Sequence, residues 1–85
     1  MTTITFYQSA ICPRCKAAGL WLNGLLTEFP DVRIEKVELL TNLGRARQDG
    51  VSGIPALVTG DRRLSGFFLT KKRIREFLES LDETD

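Results

Sequence analysis

An α/β domain is what the sequence predicts: a strand–helix–strand unit, a short second helix, a β-hairpin and a closing helix, arranged as a four-stranded mixed sheet with helices on both faces. Three observations carry this. Thr3-Ile4-Thr5-Phe6-Tyr7 alternates threonine with apolar β-formers, the period of a strand. A helical stretch separates it from a second β-rich run at 32–39, and a crossover of that length makes the two strands parallel. Near the end, Ile74, Phe77, Leu78 and Leu81 stand at i, i+3, i+4 and i+7, one face of a helix. The 85 residues, 42% hydrophobic and 27% charged, are too few for two cores and too apolar for disorder, so residues 1–85 are expected to form a single domain.

The elements follow in order. After the first strand, 8–11 reads as a loop. Pro13 suits the first position of a helix, and Ala17, Leu20, Trp21, Leu22, Leu25, Leu26 and Phe29 give that helix a broad apolar stripe, with Trp21 expected in the core. Gly19 and Gly24 each cost a helix about 1 kcal/mol relative to Ala, which suggests close packing or a weak helix end. Pro30-Asp31 ends it. The second strand covers 32–39. A short helix is next, capped by Thr41 or Asn42, with Leu43 and Ala46 facing inward and Gly50 stopping it in the left-handed conformation. The strand 56–59, the turn signal Gly60-Asp61 and the returning strand 62–65 make the hairpin, and Thr70 is placed to cap the last helix.

Bulk composition excludes several chemistries. There is no histidine, which removes Cys-His and Ser-His nucleophile pairs and every imidazole metal site. Nothing approaches the roughly 18 apolar residues of a membrane span, and the amino terminus lacks a basic region followed by an apolar run, so a soluble, cytoplasmic chain is expected. Net charge is +1 but unevenly distributed: residues 43–75 carry eight Lys/Arg against Asp49 and Asp61, and the last ten residues carry five acids. Such blocks orient encounters with charged partners.

The two cysteines are Cys12 and Cys15, too close for a bridge between them to remove much chain entropy from the unfolded state. A disulfide framework is thereby excluded. Cys12-Pro13-Arg14-Cys15 falls where the first strand's loop turns into the first helix, the setting that makes C-x-x-C a redox motif. At a helix N-terminus, unpaired backbone N–H groups and the helix dipole favour a negative sulfur, so Cys12 is expected below the ordinary thiol pKa, helped by Arg14 and Lys16. Cys15, one turn along, is expected beneath it and less exposed, placed to resolve a mixed disulfide. Incidental cysteines are the bland alternative. A zinc ribbon would need a second C-x-x-C, which is absent.

Gly53-Ile54-Pro55 immediately precedes a strand. Together with the C-x-x-C it resembles the thioredoxin superfamily, in which a cis-proline loop faces the cysteines. The resemblance spans essentially the whole chain and implies the minimal, glutaredoxin-like form of the thioredoxin fold. It also implies a cis Ile54–Pro55 bond, and that Ile54 offers its backbone N–H and C=O to an extended target segment, with Pro13, Arg14 and Pro55 completing the binding surface. Ile4-Thr5-Phe6-Tyr7 followed by Cys-Pro-x-Cys is similar to dithiol glutaredoxins, but these usually have Thr-Val-Pro and a Gly-Gly pair followed by acids, where this chain has Gly-Ile-Pro and Ser65-Gly66-Phe67-Phe68. Ser65-Gly66-Phe67 is similar to redoxins that serve ribonucleotide reductase, although Leu64, Phe68 and Leu69 depart from that pattern. Thioredoxins carry a Trp before the first cysteine and a buried acid, both missing here.

The expected activity is therefore protein-disulfide reduction through Cys12 and Cys15, with no bound cofactor and no metal. Electrons would come from NADPH through thioredoxin reductase, or from glutathione, whose carboxylate Arg45 or Arg47 could meet. Disulfide-bearing proteins, ribonucleotide reductase among them, are the expected partners. For proton transfer at Cys15 the sequence offers solvent or Tyr7. Phe67 and Phe68 are expected to divide between core and cysteine groove. Two rivals stand beside this reading: a binding module using the basic run 71–75 for an acidic partner or nucleic acid, although no base-reading motif accompanies it, and an iron–sulfur carrier using Cys12 of two subunits.

Overall fold

In a computed structural model, residues 2–60, 62–65 and 69–82 are described, Asp82 by its backbone alone. The chain forms β1 (Thr2–Gln8), α1 (Pro13–Leu25), β2 (Val32–Glu38), α2 (Leu43–Gln48), β3 (Ala56–Thr59), β4 (Arg62–Ser65) and α3 (Lys71–Asp82), with 3-10 turns at Leu26–Glu28 and Leu39–Thr41. The four-stranded mixed sheet has the order β2-β1-β3-β4. β1 runs parallel to β2, Thr2 opposite Val32 and Gln8 opposite Glu38, and antiparallel to β3, Thr5 opposite Val58. β3 and β4 form the hairpin, with Thr59 opposite Arg62. Asp61, Gly66, Phe67 and Phe68 lie outside the described residues, so the expectations for the turn and the paired phenylalanines do too.

Strand alternation sends Ile4 and Phe6 to one face of the sheet and Tyr7 to the other. Ile4 and Phe6 pack with Leu22 and Leu25 of α1 and Ile74 and Leu78 of α3 in the larger core. Tyr7 joins Val37, Ala56 and Val58 against Ala46 of α2 and Val51. Helices thus cover both faces, two on one side and one on the other. Each fully buried Leu or Ile contributes about 1.5–3 kcal/mol, so the α1/α3 face holds most of the apolar stabilisation.

The stripe of α1 is narrower than its sequence suggests. Ala18, Leu22 and Leu25 face the sheet, whereas Leu20 is 73% and Trp21 38% exposed, so Trp21 is not a core residue. At about 100° per residue, the face holding positions 18, 22 and 25 turns 20 away to solvent and leaves 21 at its edge. Close packing does not require glycine at 19 or 24: a Cβ at Gly19 would meet the Phe6 ring at 3.5 Å, an ordinary contact, and one at Gly24 would meet nothing within 4 Å. Leu43, expected inward, is 57% exposed: α2 is under two turns long and only Ala46 reaches the sheet. β2 stops at Glu38, and Leu39 begins a 3-10 turn. Asn42 precedes α2 but its Nδ2 donates to the Glu38 carbonyl at 2.8 Å, and no side-chain cap is made. Thr70 does cap α3, its Oγ1 accepting from the Arg73 N–H at 3.2 Å. Gly50, at φ +75°, ends α2 as expected.

Candidate functional site

β1, an inner strand paired with β2 and β3, delivers the chain to the site. Beyond Gln8 the backbone turns through Ser9, and the Cys12 N–H donates to the Ser9 carbonyl at 3.1 Å. Cys12 is the N-cap of α1, in extended conformation (φ −105°, ψ 108°), and Pro13 follows as the first helical residue. Proline has no N–H to leave unpaired there. The Cys12 Sγ accepts the Cys15 N–H at 3.2 Å, one of the amides that a helix N-terminus leaves without an intrahelical partner. Both cysteines are free thiols.

Cys12 is 8% exposed and Cys15 2%. Cys12 is therefore more covered than the sequence reading expected, although still the more accessible of the two. Its sulfur turns inward to reach the Cys15 amide, and Ile11, Pro13, Arg14 and Ile54 gather around it at an open hollow of about 290 Å³ that also takes in Ser9 and Leu40. Burial alone pushes the Cys12 thiol up, but the hydrogen bonds from Cys15, the Arg14 charge and the Arg14 backbone outweigh it and hold Cys12 below its ordinary value. Cys15 goes the other way. Burial first, then the hydrogen bond and charge of Cys12, push it up to about 11, against opposing contributions from the Ser9 backbone and the Arg14 charge. The two thiols of one helical turn are thus shifted in opposite directions, Cys12 down and Cys15 up.

The Ile54–Pro55 peptide bond is cis. Pro55 is buried and Ile54 half-buried, and Ile54 lines the same hollow as Cys12. Arg14 bridges the two loops, its Nη2 donating to the Ile54 carbonyl at 3.5 Å. The structure thus brings together Cys12, Pro13, Arg14, Cys15 and Ile54, and Pro55 follows Ile54 as a buried residue. A second hollow of about 270 Å³ adjoins the first and is lined by Pro13, Arg14, Ala17, Trp21 and Leu69.

Tyr7 is not at Cys15. It lies on the opposite face of the sheet, and its hydroxyl donates to Asp49 Oδ2. Burial and the Asp49 carboxylate raise its pKa to about 12, so it is no acid–base partner near neutrality. Sequence reasoning missed Glu38. Its Oε1 accepts from the Ser9 hydroxyl at 3.3 Å and from the Ala10 N–H at 3.4 Å, tying the end of β2 to the loop before Cys12. Parallel register was the available signal, because Glu38 stands opposite Gln8, the last residue before that loop. Leu40, Trp21 and Leu69 were likewise not read as lining the site.

Arg75, within the basic run, forms a two-pronged ion pair with Glu28 at 2.7 and 3.1 Å, while Lys71, Lys72 and Arg73 are exposed. Arg45 pairs with Glu35 at 2.8 Å across the surface. Among the described residues no three His, Cys, Asp or Glu side chains come together as a metal site would need, and no helix is long and apolar enough to cross a membrane.

No family model and no curated protein sequence matches the chain. Solved structures do. Thioredoxin O2 of Arabidopsis thaliana superposes with a TM-score of 0.77 at 22% identity, over 95% of this chain and 75% of that one. Mitochondrial thioredoxin 3 of Saccharomyces cerevisiae gives 0.79 at 19%, over 93% and 77%. Thioredoxin 1 of Thermosipho africanus gives 0.73 at 21%, over 96% and 92%. These structures share a thioredoxin fold, and the likeness of fold extends over nearly the whole chain.

Proposed function

We propose that this thioredoxin-fold protein is a thiol–disulfide oxidoreductase, a cytoplasmic electron carrier that reduces protein disulfides through Cys12 and Cys15. The observation that carries the reading is the inequality of the two thiols on one helix turn: Cys12 holds the Cys15 amide at 3.2 Å and is pulled below its ordinary pKa, while Cys15 is pushed up to about 11.

The chemistry follows from that inequality. The Cys12 thiolate attacks one sulfur of a target disulfide; a Cys12–target bond forms, the target S–S bond breaks, and the departing thiolate takes a proton from solvent. Cys12 is now neutral. Its charge and its hydrogen bond no longer raise Cys15, leaving burial as the main upward pressure. Cys15 then loses its proton to solvent and attacks the Cys12 sulfur. The Cys12–Cys15 bond forms, the target leaves as a second thiolate, and two electrons have passed from the protein to the target. No resident cofactor is needed for these steps, only an outside reductant to restore the dithiol.

Thioredoxin reductase with NADPH fits that reductant better than glutathione. The sequence lacks the acids after Ser65-Gly66 that hold a glutathione amine, and Arg45 is already paired with Glu35. Ribonucleotide reductase is a candidate target on the Ser65-Gly66-Phe67 resemblance. The test is a Cys15→Ser variant, which should accumulate a covalent Cys12–target adduct from a disulfide-bearing protein such as insulin while wild type turns over. A wild type that reduces neither insulin nor a small disulfide would overturn the proposal. Recycling of the oxidised protein by either reductase system then identifies the donor.

A further inference from the structure

Arg14 is the charged side chain that the two hollows flanking Cys12 share. One hollow is walled by Ile11, Leu40 and Ile54, the other by Ala17, Trp21 and Leu69, and Pro13 and Arg14 line both. A target segment crossing Cys12 has apolar surface on either side and a guanidinium between. Exposed Lys16 and, beyond Leu69, exposed Lys71, Lys72 and Arg73 add positive charge around this end of the molecule. Glu38, at the end of β2, is engaged with Ser9 and Ala10 of the loop before Cys12.

The guanidinium also occupies a particular acceptor. Its Nη2 donates to the Ile54 carbonyl at 3.5 Å, a long contact and so a weak one. That carbonyl belongs to the residue whose backbone an extended segment would pair with in a strand-addition mode of binding. A strand laid against Ile54 meets Arg14 in its path. Moving the guanidinium aside loses a hydrogen bond unless the incoming segment supplies a better partner, and a planar guanidinium's best partner is a carboxylate, held through two parallel N–H···O contacts.

Resting on the oxidoreductase reading, we propose that Arg14 is a specificity-determining residue: it selects disulfide-bearing target segments that carry an aspartate or glutamate beside the reacting cysteine, exchanging the Ile54 carbonyl for that carboxylate as the segment docks. Apolar residues on either side of the cysteine fill the two hollows. The released Ile54 carbonyl is then open to the target backbone. The exchange stabilises the bound complex, but it also turns part of the Arg14 charge away from Cys12, whose thiolate that charge supports. Selection therefore lies in binding, with a lower half-saturating concentration and a maximal rate that is not raised.

The experiment uses reduced wild-type protein and two disulfide peptides identical except for Glu or Gln next to the reacting cysteine, with apolar residues kept on both flanks. A small uncharged disulfide serves as the reference substrate. Partly screened charge-assisted pairs predict a half-saturating concentration about fivefold lower for the Glu peptide at low salt, shrinking as salt rises. The preference should vanish in Arg14→Gln and survive in part in Arg14→Lys, which keeps the charge and loses the fork. Equal half-saturation of the two peptides by wild type, or a preference retained by Arg14→Gln, overturns the proposal. Reduction of both peptides and of the reference at matched rates would leave the oxidoreductase reading intact; failure on all three removes both.

Discussion

Alkylation of the reduced protein by a limiting amount of iodoacetamide reads the unequal thiols directly, because only the thiolate reacts. A thiol at about 11, two units above its ordinary 9.0, has about a hundredfold less thiolate near neutral pH than an unperturbed one. Cys12, below the ordinary value, has more than the unperturbed amount. Nucleophilicity works against this difference, since a thiolate two units less basic reacts about tenfold more slowly at a Brønsted slope near 0.4–0.5. Population wins over reactivity by at least about tenfold. The greater burial of Cys15 adds to that margin. Fragmentation mass spectrometry should therefore place the first label on Cys12 at neutral pH, and its rate should level off below the pH at which ordinary thiols ionise. In Cys12→Ser, Cys15 should react faster than it does in wild type, since two of the influences that raise it come from Cys12. Equal labelling of the two, or Cys15 first, would refute the reasoning.

Two further predictions concern the scaffold. Gly50→Ala imposes left-handed strain of about 1–2 kcal/mol and drives a Cβ into Arg63 Nη1, displacing a guanidinium that donates to the Asp49 and Gly50 carbonyls. Gly60→Ala meets open space and carries the strain alone, so urea unfolding should rank Gly50→Ala below Gly60→Ala, and the reverse order would show that Arg63 yields freely. Tyr7 is the only tyrosine, so tyrosinate absorbance follows it alone. Its folded pKa of about 12 lies above the unfolded 10.0, so its contribution to stability is intact below pH about 10 and is lost as pH rises from there toward about 12. Tyr7→Phe should flatten that alkaline loss; an unchanged slope would assign it to other groups.

Local patterns read well because their causes are local. Alternation in 3–7 marked β1, Thr70 and the apolar quartet of α3 gave that helix with its cap, and Cys12-Pro13 marked the start of α1. Trp21 was misread because an apolar stripe does not say how wide a face the sheet will cover. Leu43 failed for a related reason, α2 being too short to turn a second residue inward. At the site, residues adjacent in the chain were legible, while Glu38, Leu40 and Leu69 arrive through strand register and helix docking. Tyr7 shows the same limit: alternation alone puts it on the face away from Phe6, but its hydroxyl finds Asp49 only through the packing of α2.

The order β2-β1-β3-β4 leaves β2 and β4 with one side each not paired in the sheet. Such rims invite pairing with other chains and are the usual starting points of aggregation. β2 carries Arg33, Glu35, Lys36 and Glu38 among its seven residues, and β4 is only four residues long and opens with Arg62 and Arg63. Charge and brevity both discourage an incoming strand. Neither rim therefore competes with the apolar surface that Ile11, Leu40 and Ile54 present around Cys12.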